Sequence, residues 1–385
     1  MSSCVKKIGI LAFADMHSGG VYQYTQSIVD ALKLDVSAEY IVFCKRDDAR
    51  FDNYELQVRK IDKPYINLFR KVVRLVQFLI FFRRPLFFSK IENESFKDID
   101  MFISPAISAY PHYYLNKPFI FTLHDMQERY YPEFFSIYER FIRWLCNRTL
   151  AKSATKIICE SNFVKKDVMR FIGIEEGKIS VIQSPPPEEF LNYKFDIAKY
   201  DFVRTKYNLP QHYIFYPAQA WPHKNHFKLI EAFELVARER EDVCLVLTGS
   251  SFSNQINIID IINRFNLNER IKHLGYIDYK DLPYIYKLSQ MLVMPTLFES
   301  VSIPIYEAFA LEVAVCCSNV VALPDQVGNA GLIFNPHSSR DIAEKIMQYL
   351  NNNDLRMKKS KLGFDRVAKF NHKKYRKNLL EILNT

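Results

Sequence analysis

Short apolar runs alternate with helix-length segments twice along this chain, and a proline run separates the two series. Candidate strands of the first series lie at 7–13, 40–44, 101–104, 119–123, 156–159 and 179–182. Ser184-Pro185-Pro186-Pro187 follows; such a run continues neither a helix nor a central strand, so it marks a hinge or linker. The alternation resumes with strands at 213–217, 243–248, 271–274, 292–295, 313–317 and 331–334, and helical periodicity at 228–239, 254–265, 282–289 and 304–311. Strand–helix alternation on this scale builds doubly wound parallel sheets, here two of them in an α/β chain. A length of 385 residues supplies enough core for two or three domains. Ligands of such sheets sit at the carboxyl ends of the strands, so the residues just past each strand are the ones to read for chemistry.

The densest such segment is Phe298-Glu299-Ser300-Val301-Ser302-Ile303-Pro304-Ile305-Tyr306-Glu307, after the apolar run 291–295. Pro304 suits a helix start, where its missing N–H is no loss. Glu299 then lies in the loop and Glu307 in the helix. Carboxylates accept from hydroxyls, while N–H groups at a helix start face an anion. A sugar joined to a nucleotide through phosphates offers both kinds of group.

Other strand ends carry weaker signals. His17-Ser18-Gly19-Gly20 follows the first strand; two glycines let the backbone approach a phosphate or sugar, or make a plain tight turn. His124-Asp125 follows the strand at 119–123, as an active-site pair or as an N-cap Asp beside a solvated His. Tyr216-Pro217-Ala218-Gln219-Ala220-Trp221-Pro222-His223-Lys224-Asn225-His226 puts a Lys between strand and helix, where it can neutralise a diphosphate or simply mark a surface turn. Thr248-Gly249 and Gly275-Tyr276-Ile277 close two further strands. Asp98-Ile99-Asp100 has the spacing of a metal-binding DxD but precedes its strand, the wrong end for a site, so no metal is inferred.

Composition narrows the classes. The net charge of +9 suits an anionic ligand, a membrane surface or nucleic acid without choosing among them. Seven scattered cysteines without metal-like spacing fit a reduced, cytoplasmic protein. The apolar N-terminal run is brief and interrupted by Asp15, and reads as a buried strand rather than a signal peptide. No stretch of 18 apolar residues exists, which argues against a transmembrane helix. Residues 64–91 hold six Lys/Arg and no Asp/Glu. Arg70, Lys71, Arg74, Arg83 and Arg84 there suit a basic amphipathic helix lying peripherally on an anionic membrane, or an ordinary outer helix; salt-dependent binding to anionic vesicles separates the two. A nicotinamide dehydrogenase is excluded by the lack of GxGxxG after any strand, and no nucleic-acid motif is present.

Taken together, the Glu-x7-Glu segment, Pro222-His223-Lys224-Asn225, the Gly19-Gly20 loop and the strand ends at Gly249 and Tyr276 resemble family 4 of the retaining glycosyltransferases with the GT-B fold. The resemblance covers almost the whole chain and is strongest toward mannosyltransferases of surface polysaccharide and lipopolysaccharide synthesis. It implies two Rossmann-like domains facing a cleft, at 1–190 and 211–365, a linker at 191–210, and a terminal helix at 366–385 crossing back to the first domain. The implied activity is transfer of a hexose from a nucleotide sugar, with GDP-mannose the first candidate and no cofactor or metal required. The acceptor would be a saccharide or lipid-linked glycan. Alternatives are a UDP- or dTDP-sugar donor, such as N-acetylglucosamine or rhamnose, and a non-catalytic glycan-binding member of the fold.

The resemblance also implies roles. Glu299, Lys224 and His124 would be catalytic: Glu299 on donor-sugar hydroxyls, Lys224 on the leaving diphosphate, His124 beside sugar and acceptor. Gly19, Gly20, Gln219, His223, Asn225 and Gly249 would surround the donor. Tyr276 and Ile277 would border its base, and Glu307 would accept from its ribose. Backbone N–H groups of Val301, Ser302 and Ile303 would face sugar and phosphate. His17 and Asp125 would meet the acceptor. Three departures stand out: Ser300-Val301-Ser302 replaces the usual Gly-Phe-Gly, 310–315 replaces Ala-Cys-Gly-x-Pro-Val, and Ala218-Gln219 stands where an Arg is common.

Overall fold

The computed structural model describes residues 5–14, 19–52, 54–61, 76, 95–108, 111, 117–253 and 256–384. His17 and the basic residues Arg70, Lys71, Arg74, Arg83 and Arg84 lie outside the described residues. The chain forms two compact units, 1–184 with 372–385, and 185–371.

Up to residue 184 the elements used below are β1 (Lys7–Leu11), α1 (Gly20–Leu32), β2 (Glu39–Lys45), β3 (Gln57–Ile61), β4 (Met101–Ser104), β5 (Phe119–Thr122), α2 (Ile137–Ser153), β6 (Lys156–Cys159) and β7 (Ile179–Val181). The second unit contains α3 (Ile197–Lys206), β8 (His212–Pro217), α4 (His226–Glu239), β9 (Val243–Thr248), β10 (Ile271–His273), α5 (Leu282–Leu288), β11 (Met291–Met294), α6 (Ile303–Ala310), β12 (Val315–Ser318), α7 (Leu323–Val327), β13 (Gly331–Phe334), α8 (Ser339–Asn351) and α9 (Asn353–Val367). The last helix, α10 (His372–Leu383), belongs to the first unit.

Both sheets are parallel, ordered β3-β2-β1-β4-β5-β6-β7 and β10-β9-β8-β11-β12-β13. Strands covered on both faces read as continuous apolar runs, and β4, β5, β11 and β12 are buried at every position. In each sheet the order reverses once, between β1 and β4 and between β8 and β11. Crevices at such reversals are where doubly wound folds bind ligands.

Three features differ from the sequence reading. β3 is an added edge strand, with partly exposed Arg59 and Lys60 in place of an apolar run. The 191–210 stretch carries α3, whose Val203 is fully buried in the second unit's core, so it is structure rather than linker. The terminal helix begins at His372, after α9 has packed on the second unit. Tyr375 and Leu379 of α10 bury themselves in the first unit's core. Asp98, the first acid of the DxD spacing, is taken up by Arg59 (2.6 and 2.7 Å), whose hydrogen bonds hold its carboxyl well below the usual range.

Candidate active site

Lys224 and Glu299 come from the two strands that flank the reversal in the second unit. The stretch after β8 makes a short turn at Pro222–Lys224, ended by Asn225 in the left-handed region (φ 58°), which Asn tolerates better than most residues. The turn is clamped to the loop after β11: the His223 carbonyl accepts from Leu297 N (2.7 Å) and Thr296 Oγ1 (3.0 Å). Between these loops Lys224 Nζ donates to Glu299 Oε2 at 2.5 Å, with side chains only 14% and 18% exposed. A cation and a carboxylate are thus fixed side by side. The pair can meet a ligand carrying both an anionic group and hydroxyls.

The neighbouring strand ends are tied by Gln219. Its Oε1 accepts from Ser250 N (3.0 Å) and Tyr276 Oη (3.2 Å), joining the loops after β8, β9 and β10. Gly249 has φ 104°, and a Cβ there would lie 2.6 Å from the Ala218 carbonyl oxygen, so only glycine fits this crossing of loops. Tyr276 is 63% exposed, while Ile277 packs against the core. Val301 also packs partly on the core, and Ile303 opens α6.

Two donor-site expectations need correction and a third needs refining. The Asn225 side chain is buried and donates to the carbonyls of Pro295 and Pro336 (both 2.9 Å), so it fastens loops rather than facing a ligand. The Ser302 N–H is already taken, donating to Gln326 Oε1 at 2.9 Å; it does not face phosphate. Glu307 is buried, with Oε2 accepting from Tyr286 Oη at 2.6 Å. Burial pushes its pKa up to about 7, against the lowering effect of that hydrogen bond. A carboxyl raised in the folded state stabilises the fold fully below its usual 4.5 and loses that contribution as pH rises through about 7. Glu307→Gln, which keeps an acceptor for Tyr286 and carries no charge, is expected to flatten this fall. Melting temperatures of both proteins from about pH 5 to 8 check it, and parallel profiles would contradict it.

In the first unit, Gly19 caps α1 with φ 58° and ψ −126°, a conformation essentially confined to glycine, and Gly20 begins the helix. His124 follows β5. Its Nδ1 lies 2.8 Å from Glu160 Oε2 and its Nε2 2.7 Å from the Pro105 carbonyl. Both partners accept, so both ring nitrogens carry protons. Burial pushes the His124 pKa down, but the hydrogen bond and charge of Glu160 outweigh it, and the net shift is upward. The ring stands edge-on to Tyr24 at 4.7 Å, and Tyr24 Oη meets Thr122 Oγ1 at 2.9 Å. With both ring nitrogens engaged, His124 has no free lone pair with which to remove a proton. Asp125 Oδ1 accepts from Arg143 Nη2 (2.7 Å) and Gln127 N (3.1 Å).

Sequence reasoning missed Glu160, Tyr286, Gln326 and Arg50. Arg50 donates to the carbonyls of Ala12 (3.2 Å) and Ala14 (2.8 Å), holding the end of the segment that leads toward Gly19. No helix of the described residues is long and apolar enough to cross a membrane.

Comparison with known proteins agrees with this architecture. Residues 18–185 match the model for Glycosyltransferase Family 4, and residues 200–365 that for Glycosyl transferases group 1. O-antigen chain mannosyltransferase B of Escherichia coli is 29% identical over 220 residues, 57% of each chain. O-antigen chain mannosyltransferase RfbU of Salmonella typhimurium is 25% identical over 221 residues, again 57% of each. The chain thus spans a little over half the length of these curated relatives. Among solved structures, Anabaena HepE in complex with UDP and glucose superposes with a TM-score of 0.76 at 16% identity, covering 99% of this chain and 100% of that one. Sucrose-phosphate synthase from Thermosynechococcus elongatus gives 0.73 at 16% identity, covering 98% of each. With two family models matching successive parts of the chain and a GT-B fold over its length, the protein belongs to the family 4 glycosyltransferases.

Proposed function

We propose that this protein is a retaining glycosyltransferase that moves a hexose, mannose from GDP-mannose first, onto a saccharide or lipid-linked glycan in bacterial surface polysaccharide synthesis. The observation that carries the reading is the Lys224–Glu299 pair at the reversal between β8 and β11. The likeness to O-antigen mannosyltransferases supports mannose and the polysaccharide setting.

Breaking the bond from sugar C1 to the phosphate oxygen develops positive charge on the sugar and negative charge on the nucleoside diphosphate. Lys224 stabilises the leaving diphosphate as a preorganised cation. Glu299 exchanges its bond to Lys224 for sugar hydroxyls. Glu307, with one oxygen on Tyr286, offers the other to the ribose. The acceptor oxygen bonds to C1 on the face the phosphate leaves, and its proton passes to the departing phosphate oxygen. His124 takes no proton in this scheme, since both its ring nitrogens are engaged. The expected place of action is the cytoplasmic face of the membrane, where the basic stretch 64–91 would meet anionic lipid.

A ligand that binds only the folded state raises its melting temperature. In a screen of GDP-, UDP- and dTDP-sugars, GDP-mannose is expected to give the largest rise, and no rise with any of them would sink the reading. The second reading is a UDP-linked donor: the fold neighbour HepE was solved with UDP-glucose. A larger shift with UDP-sugars would select it. A non-catalytic member would bind without slowly hydrolysing its donor.

A further inference from the structure

The loop between the two glutamates is held by a residue outside it. Gln326 lies on α7, 24 positions beyond Ser302, and is 3% exposed. Its Oε1 accepts from Ser302 N at 2.9 Å, and its Nε2 donates to Ser302 O at 2.7 Å. One carboxamide thereby satisfies both main-chain groups of one residue, as a neighbouring strand would. Two such bonds fix the position and orientation of the Ser302 peptide groups, where one would leave a pivot. The anchor is itself braced: Arg366 of α9 donates to the main-chain carbonyls of Gln326 (2.7 Å) and Asp325 (2.5 Å).

Ser302 is also the N-cap position of α6, the helix that carries Glu307, and it stands three residues after Glu299. Displacement at Ser302 therefore reaches Glu299 first, while Glu307 is held separately by Tyr286. Its hydroxyl, in a residue 1% exposed, has no protein partner, and with the main chain committed it is the residue's one group left for a ligand.

We propose that Gln326 is a positioning residue for the donor sugar: it locks the 300–302 loop so that Glu299, the Ser302 hydroxyl and the start of α6 hold one geometry. This deepens the donor-site reading above and rests on it. The two bonds hold the loop before the donor arrives. The ordering cost of the loop is then met in folding rather than binding. A misplacement of about 1 Å at such a site can cost about a hundredfold in rate.

The test uses the full chain as wild type, Gln326→Leu and Gln326→Glu. Leu removes both bonds at similar volume. Glu loses the donor while ionised and regains it when protonated, since a carboxylic acid can reproduce both bonds. With GDP-mannose as donor, Gln326→Leu is expected to lower kcat at least tenfold while the Kd for GDP stays within about threefold, because the sugar end is disturbed and the nucleotide end is not. Gln326→Glu should regain activity relative to wild type as pH falls from about 8 to about 5.5. Hydrogen exchange at the Ser302 amide supplies a readout independent of turnover: slow in wild type and at least tenfold faster in Gln326→Leu. Unchanged kcat in a folded Gln326→Leu, or a lower melting temperature as its sole effect, overturns the proposal. Equal amide exchange in the two proteins overturns it as well. If wild type consumes none of the GDP-, UDP- or dTDP-sugars, the donor-site reading has failed, while the exchange result still decides whether Gln326 locks the loop.

Discussion

Lys224→Ala is expected to lower sugar transfer roughly 100-fold or more, the scale set by losing one preorganised donor to a developing oxyanion. Two effects compete in this variant. Removing the ammonium leaves Glu299 without the partner it has at 2.5 Å, which costs some stability. The pair is partly exposed, so that cost falls between the ~1 kcal/mol of a surface pair and the ~3 kcal/mol of a buried one. Such a loss lowers the melting temperature but leaves the folded enzyme's turnover intact. The rate effect should therefore persist well below the melting transition, and with donor at saturation, because the charge it answers appears as the bond breaks. Lys224→Arg keeps the charge while changing its shape and reach, and should recover only part of the rate. Normal turnover in Lys224→Ala would remove Lys224 from the mechanism.

The second large effect concerns stability. His124 and Glu160 form an ion pair with side chains 15% and 8% exposed. Breaking such a pair from one side costs about 3 kcal/mol or more, because the remaining charge has no compensation. Glu160→Leu is expected to show a loss of that order in urea unfolding at about pH 6. Replacing both residues by Leu should recover much of it, since the cost lies in the orphaned partner rather than in the pair. The pH dependence has a definite sign. The folded-state pKa of His124 is raised, so its contribution is complete below about 6.5 and is lost as pH rises through the folded value. Glu160→Leu should reverse this dependence, because burial without Glu160 pushes the His124 pKa down. A variant as stable as wild type at pH 6 would show that the contact does no work.

How far the chain could be read in advance follows from where each signal resides. Buried parallel strands announce themselves as apolar runs, so β4, β5, β11 and β12 were legible. β3 was not, because Gln57, Arg59 and Lys60 interrupt any such run. The helix α3 looked like a linker because Val203 is its one fully buried residue and much of its sequence is polar. Glu299 and Lys224 were legible because each stands next to a strand end, and strand ends are where parallel sheets place chemistry. Their pairing was not, since 75 residues separate them. Glu160, Tyr286 and Gln326 act through contacts 36, 21 and 24 residues away, and no local pattern marks such partners. Asn225 was placed correctly after a strand, but its buried side chain fastens loops instead.

If the Lys224–Glu299 pair serves transfer from a nucleotide sugar, the protein consumes such a donor. Release of nucleoside diphosphate by the purified full chain, measured with GDP-mannose, UDP-sugars and dTDP-sugars in turn, tests it most directly. Slow turnover of one donor class, GDP-mannose first, is expected, falling roughly 100-fold or more in Lys224→Ala. Failure to consume any of these donors, or equal rates in wild type and Lys224→Ala, would contradict it.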